Sequence, residues 1–559
     1  MKKSRYPYGL ILALLIMLNV NAQITERTRP SEWNDLIQGG RFMDLFLPMT
    51  PVGQLTRDTW GAANVVPRYM DNGIEDPDWS YWGGNALLGE DGKYHLFVCR
   101  WKEDSLKGHN EWPNSIVVHA VADNSFGPYT VKETLGPGHN PEIFKLRDGR
   151  YVVYVIDGRY VAESLNGPWE YGKFEFDPRG RPIIEGLSNL SFAQREDGSF
   201  IMVCRGGGIW FSKDGLSPYN QVTDKSVYPP VEGHFEDPVI WRDNVQYHMI
   251  VNDWLGRIAY YLRSKDGMDW KVDPGEAYLP GIAKYTDGTN EDWFKYERIK
   301  VLQDSIGRAT QAHFAVIDVL KKEDKGNDNH SSKHITIPLT VGRQIKVLNK
   351  NINAGTKSIQ VKIQAEDGFD PHIDLDIHSL RFGAPEEVNF GRGAKVEKTK
   401  IQGPDLIVTF FGKGNGIKQD NFVGKLMGKT VEGKLFYGYA RLPQVNYVEP
   451  LLSMGNIEKL MKNEASILEV EIENFGQIAS HRSPFEINLK LGGETRTIGH
   501  GTVPKIGPFE QKTINITVPE LYQSKKNDDI ELIIYPKNGN PIVFNLSTAL
   551  RDRNINLND

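Results

Sequence analysis

The sequence predicts an all-β protein: a five-bladed β-propeller followed by two small β-sandwich modules. Three observations carry that expectation. A turn signature recurs five times ahead of short apolar runs. A second set of turns repeats behind those runs. Beyond residue 335 the texture changes to short alternating strands, and no long amphipathic helix is legible anywhere.

The first signature sits at Gly92, Gly149, Gly198, Asn244 and Gly307. Its contexts are alike: Gly89-Glu90-Asp91-Gly92-Lys93-Tyr94, Arg147-Asp148-Gly149-Arg150-Tyr151, Glu196-Asp197-Gly198-Ser199-Phe200 and Arg242-Asp243-Asn244-Val245-Gln246-Tyr247, with a degenerate Asp304-Ser305-Ile306-Gly307-Arg308. Asp-Gly between apolar runs predicts tight hairpins, because type I′ turns need positive φ. In the second set, Ala122–Tyr129 matches Ala162–Trp169, and Ser212-Lys213-Asp214-Gly215 matches Ser264-Lys265-Asp266-Gly267. Units of this length, repeated around a ring, describe propeller blades.

The charged stretch Lys321–Lys333 reads as a solvated loop rather than a functional charge run. After it come strand-like runs such as Ser358–Ile363, Leu406–Phe411, Ile467–Glu473 and Thr513–Val518. They predict two sandwiches joined near Pro443 to Pro450, the last similar to the immunoglobulin-like modules of secreted bacterial enzymes. The expected division is 1–22 signal peptide, 23–335 propeller, 336–445 first sandwich and 446–559 second sandwich.

The start of the chain explains the first boundary. Lys2, Lys3 and Arg5 precede an apolar run from Leu10 to Val20, and Val20-Asn21-Ala22 offers a cleavage site before Gln23. That run is too short to span a bilayer. The expectation is an exported protein, periplasmic or secreted, that does not span the membrane. Cys99 and Cys204 each lie in a separate apolar run, which favours two buried free thiols over a disulfide. A net charge of −6 offers no basic surface for nucleic acid. Twelve Trp and 23 Tyr suit a cleft whose flat rings pack on sugar faces.

In a propeller the first strand of each blade lines the axis, and its leading residues converge at one mouth. Those residues are Trp82-Gly83-Gly84-Asn85, His139-Asn140-Pro141-Glu142, Ser188-Asn189-Leu190, Glu236-Asp237-Pro238 and Glu297-Arg298. Each carries polar groups ahead of apolar ones, as a lined axial pocket requires.

With these residues the chain resembles five-bladed propeller enzymes related to glycoside hydrolase family 43, of the kind found in polysaccharide-degrading bacteria. The resemblance spans about residues 75–320. It rests on Trp82-Gly83-Gly84, the Glu90–Phe97 run, Arg100-Trp101, Ser115 with His119-Ala120-Val121, His139-Asn140-Pro141, Glu236–Trp241 and Glu297-Arg298. It implies an inverting hydrolase with a base in the first blade, a tuning Asp in the second and a Glu as acid. Glu236 fits the acid. Gly84-Asn85 stands where the base belongs and Asn140-Pro141 where the tuning Asp-Pro belongs, and Asn takes no proton at neutral pH. Asp78, Glu142 and Asp237 are the substitutes at hand, with no pattern behind them.

The missing carboxylates shift the expected chemistry. His139, His119 and His109 join Glu236 as expected catalytic groups, since imidazole exchanges protons near neutrality. Arg100, Arg205 and Arg298 suit a uronic carboxylate, with Trp82, Asn85, Asn140, Asn189, Asp237 and Glu297 completing the substrate contacts. The expected reaction is β-elimination from a uronate oligosaccharide of the ulvan type, by a lyase or dehydratase that leaves a 4,5-unsaturated uronate. The alternatives are an exo-acting family-43-like hydrolase and a non-catalytic glycan-binding protein. No cofactor is required; the resemblance also implies a structural calcium near His313. The expected partners are the oligosaccharide and other enzymes of its degradation.

Overall fold

The structure, a computed structural model, describes residues 26–56, 68–326, 332–462, 465–491, 493–518, 529–537 and 541–546. The signal peptide expected over 1–22 lies outside the described residues. Among those residues the only α-helix is the four-residue Pro385–Val388, and no helix is long and apolar enough to cross a membrane.

Five sheets follow one another between Trp79 and Pro338, antiparallel but for one edge pair of the third, where Phe176–Asp177 runs parallel to Tyr219–Gln221. Their leading strands are Trp79–Leu88, Glu142–Lys145, Ser191–Gln194, Phe235–Arg242 and Lys295–Gln303, and each pairs with the next strand in the chain. All five hairpins turn at the marks read from the sequence. At Gly92, Gly149, Gly198 and Gly307 the turn differs from the type I′ expectation. Each is a three-residue loop closed by the glycine, with φ between 76° and 96°. The glycine N–H donates to the carbonyl three residues back, as from Gly92 to Gly89 at 3.1 Å. An Asp in or just before each loop accepts a following backbone N–H, as Asp91 does from Lys93 and Asp148 from Arg150, both at 3.1 Å. The second repeat is equally physical: Gly215 and Gly267, both at φ 83°, donate to Ser212 Oγ and Ser264 Oγ at 3.1 and 2.9 Å.

Alternation along these strands buries one face against each neighbouring sheet. Phe97 and Val117 of the first share a core with Ile143 and Val153 of the second. Val152 and Tyr154 meet Phe192 and Met202 of the third. Ile201 and Phe211 meet Met249 and Val251 of the fourth, and Val239 and Ile250 meet Val301 and Phe314 of the fifth. The fifth then packs on the first, where Ala315, Ile317 and Val319 meet Trp82, Cys99 and Trp101. The series therefore closes on itself. A buried clasp reinforces the seam: Glu75 pairs with Lys333 at 2.9 Å and Arg68 at 3.1 Å, and Asn72 exchanges bonds with the backbone of Thr336.

Beyond the fifth sheet a seven-stranded sheet spans Ile345–Val347 to Leu435–Arg441 around its own apolar core. A three-stranded and a four-stranded sheet between Leu452 and Asn545 share another core. This last unit docks on the third sheet. Arg179 pairs with Glu473 and donates to Ser453 O at 3.1 Å, and Arg195 donates to Phe475 O at 2.7 Å. Cys99 and Cys204 are buried free thiols, and burial pushes Cys99 up to about 12.

Candidate active site

Each of the five leading strands is entered through the same backbone device. Gly83, Asn140, Asn189, Asp237 and Arg298 all hold positive φ, at 62°, 54°, 51°, 55° and 53°. A left-handed conformation costs a non-glycine residue about 1–2 kcal/mol. Four such residues at equivalent positions of successive sheets mark a constrained site. The first, fourth and fifth sheets bulge at this point, and a bulge re-aims the side chains beside it. The residue before each left-handed position is Trp82, His139, Ser188, Glu236 or Glu297. The residue two after it is Asn85, Glu142, Ser191, Val239 or Lys300. Three tiers of side chains result.

The middle tier is knit together. Arg298 pairs with Asp237 at 3.0 Å and donates to Asn189 Oδ1 at 2.5 Å, and Asn189 Nδ2 donates to Asp237 Oδ1 at 3.0 Å. A Cβ on Gly83 would lie 3.2 Å from Asn140 Oδ1 and 3.9 Å from Arg298, so the glycine keeps the center open. The Asn140 amide is buried with neither polar atom partnered.

The tier of Glu236 and Glu297 holds the titratable chemistry. Glu236 is nearly buried, 3.3 Å from the half-exposed Arg205 and 4.0 Å from Lys321. Burial, and next the Asp237 carboxylate, raise its pKa, with Glu297 adding and Lys321 opposing. Glu297 behaves oppositely. Burial works against its ionisation, but Lys321 at 2.5 Å and Lys295 at 3.2 Å outweigh it and hold it well below the usual range. Two neighbouring carboxyls are thus pushed apart, the arrangement that separates an acid from a permanent anion.

His139 presents an unprotonated ring nitrogen. Ser115 Oγ donates its single proton to Gly138 O at 2.9 Å, and Cys99 Sγ donates to Trp82 O at 2.9 Å. The His139 Nδ1–H therefore donates to Ser115 Oγ at 3.0 Å, and Nε2 carries the lone pair. Burial first, then Arg298, His109 and Lys321, keep the ring neutral. Trp112 stands 4.9 Å from this ring and is 38% exposed. On the far side of Arg205 from Glu236 a groove of about 420 Å³ is lined by Arg205, Lys225, Glu185, Tyr228 and Phe235.

The structure gathers Glu236, His139, Asn140, Asn189, Asp237, Glu297 and Arg298, with Arg205 at the edge. Others are corrected. His119 lies in the third strand of the first sheet, stacked on Phe97, with both ring nitrogens engaged by His95 (2.8 Å) and Glu133 (3.1 Å). Arg100 occupies the opposite sheet face from Cys99 and Trp82, over Trp79 and against the Tyr81 hydroxyl. Asn85 bridges two sheets, exchanging bonds with the Ile143 backbone N–H (2.8 Å) and carbonyl (3.4 Å). His109 backs Trp82 at 4.5 Å, and Trp82 itself is 1% exposed beneath Lys321. Lys321, read as a solvated loop residue, is the central cation of the site. It is the clearest omission, with Lys295 and Trp112.

His313 does not fit a calcium site. Its neighbour is His334, at 5.3 Å between rings, and burial lowers its pKa to about 3. Calcium takes oxygen ligands. In register opposite His313, Lys300 directs its ammonium to Glu142 at 2.5 Å and Leu190 O at 3.5 Å, so a fixed cation already answers that carboxylate. One group of carboxylates close enough to share an ion, Glu236, Asp237 and Glu297, occurs among the described residues. It already faces Lys321 and Arg298.

No family model and no curated protein matches the chain. Among solved structures it is similar to Zg3597, a family 117 glycoside hydrolase of the marine bacterium Zobellia galactanivorans, at 11% identity and a TM-score of 0.35, over 53% of this chain and 89% of that one. It is similar to the GH43 BlXynB protein from Bacillus licheniformis at 9% identity and a TM-score of 0.33, over 84% and 90%. The alpha-L-arabinofuranosidase from Lactobacillus brevis stands at 10% and 0.33, over 48% and 93%.

Proposed function

We propose that this chain is a carbohydrate-active enzyme that breaks a C–O bond of an oligosaccharide, with Glu236 as proton donor and His139 Nε2 as base. The leading reading is hydrolysis of a glycosidic bond. His139 takes a proton from water as the water attacks the sugar carbon, and Glu236 protonates the departing oxygen. The observation that carries the reading is a pairing in one mouth. A carboxyl pushed toward its protonated form by burial and neighbouring carboxylates accompanies an imidazole held neutral with Nε2 unprotonated. Glu297 holds Lys321 in place, and Arg298, Asp237 and Asn189 form the rigid floor.

β-Elimination from a uronate is the second reading, and Arg205 and Lys225, two cations against the single Glu185 in the groove next to the mouth, favour it. A carboxylate held there would acidify the adjacent C5 proton, which His139 would remove while Glu236 protonates the C4 oxygen. In either case we read the five closed sheets as the blades of a propeller over 23–335, with sandwich modules at 336–445 and 446–559. Residues 1–22 would export the protein to the periplasm or beyond, among other enzymes of polysaccharide breakdown.

The test is incubation with neutral and uronate oligosaccharides followed by mass analysis. Cleavage with a gain of ~18 mass units means hydrolysis. Absorbance near ~235 nm without that gain means elimination. Binding without any product overturns the enzymatic reading.

A further inference from the structure

A cavity of about 540 Å³ lies away from the mouth, where the fourth and fifth sheets and the segment near Phe42 meet the seven-stranded sheet. Its size falls within the ~300–1,000 Å³ of small-molecule sites. Strand alternation explains its lining. In Leu435–Arg441, Phe436 and Ala440 enter the sheet's own core, so Tyr437, Tyr439 and Arg441 face the other way, into the cavity. Lys425 sits directly opposite Tyr439 in the neighbouring strand and faces the same side. Trp241 and Tyr261 of the fourth sheet stand across from them, and Arg441 lies over Tyr447 at 4.5 Å.

The charges are unequal. Lys425 is 4% exposed, and its ammonium donates to Gly39 O at 2.8 Å and Asn389 Oδ1 at 2.6 Å, both neutral. Among the described residues no carboxylate pairs with it. The nearby Asp273 is taken up by three bonds from Arg263. Arg441 spends Nε on Val245 O at 2.9 Å and reaches Glu196 only at 3.6 Å. A buried ammonium facing a cavity without a counter-ion calls for an anion. Flat tyrosine and tryptophan faces with hydroxyls and amides around them call for a sugar ring.

We propose that this cavity is a second ligand site, taking a saccharide that carries a carboxylate or a sulfate ester, with the anion toward Lys425 and Arg441. The choice of ligand rests on these residues and not on the chemistry at the mouth. The test is calorimetric titration of the full chain with a glucuronate-containing oligosaccharide, a sulfated one and their neutral counterpart. Arg441→Gln is expected to weaken binding of an anionic ligand about tenfold or more. Val245→Trp, which fills the cavity from its rim, is expected to abolish it. Circular dichroism checks that both variants fold, and turnover at the mouth is expected to be unchanged. Which anion binds distinguishes carboxylate from sulfate. Equal binding of neutral and anionic sugars overturns the proposal, as does wild-type affinity in both variants. If only Glu236→Gln or Arg205→Gln loses binding, the cavity site is wrong and the mouth reading stands.

Discussion

Replacing Lys321 by methionine removes the one cation that lies between two buried carboxyls. The ammonium stands 2.5 Å from Glu297 and 4.0 Å from Glu236. Unit charges 4 Å apart interact by about 1 kcal/mol in water and about 4 kcal/mol at an effective dielectric of about 20. Lys321 is partly exposed, so the lower end applies, and at about 1.36 kcal/mol per pH unit the alkaline limb of kcat/KM should rise by about one unit. The sign follows from the roles. Lys321 favours ionised Glu236, so its loss lets the acid keep its proton to higher pH. Stability changes as well. The pKa of Glu297 is depressed in the folded state, so its stabilisation is present above the unfolded value and fades as pH falls through the folded one. Lys295 still pairs with Glu297, so Lys321→Met should cost about 1–3 kcal/mol near neutrality and progressively less in acid. Urea denaturation across pH reads the second effect and initial rates read the first. An unmoved alkaline limb with unmoved stability would return Lys321 to the solvated loop that its sequence context describes.

Further outcomes follow from the same geometry. Asn140→Gly, which relieves a left-handed φ and removes a buried amide with no partner, should stabilise the fold by about 1 kcal/mol. If that amide serves substrate, KM rises while kcat changes less; denaturation and kinetics check both. Lys300→Met leaves Glu142 buried without its cation and should cost about 3–5 kcal/mol, most of it restored in Lys300→Met/Glu142→Leu. Both thiols should resist a disulfide reagent in the native protein and react fully in denaturant, because burial raises each thiol's pKa. Rapid reaction of either in the folded state would contradict its burial.

What the sequence made legible is what local backbone chemistry dictates. The glycine marks at Gly92, Gly149, Gly198 and Gly307 are required where they stand, because a left-handed residue closes each loop and a nearby Asp side chain caps it. The leading residues of the five sheets were legible for the same reason, since each hairpin turn fixes the strand that runs into it. Side-chain direction was harder. Arg100 and Cys99 are neighbours, and one residue of alternation puts them on opposite faces. His119 looked available beside an apolar run, but its partners, His95 and Glu133, arrive from the strands on either side. Lys321 carried no signal at all. It belongs to a polar stretch without periodicity, and only the closing of the fifth sheet on the first brings it over Trp82.

The central claim is that Glu236 gives a proton to a departing oxygen, and leaving-group dependence in Glu236→Gln measures that directly. A sugar alkoxide needs the proton and a nitrophenolate does not. The variant should lose about a hundred- to ten-thousand-fold in kcat on an oligosaccharide, yet less than about tenfold on the nitrophenyl glycoside of the same sugar. Equal losses on both substrates, or none on either, would contradict it.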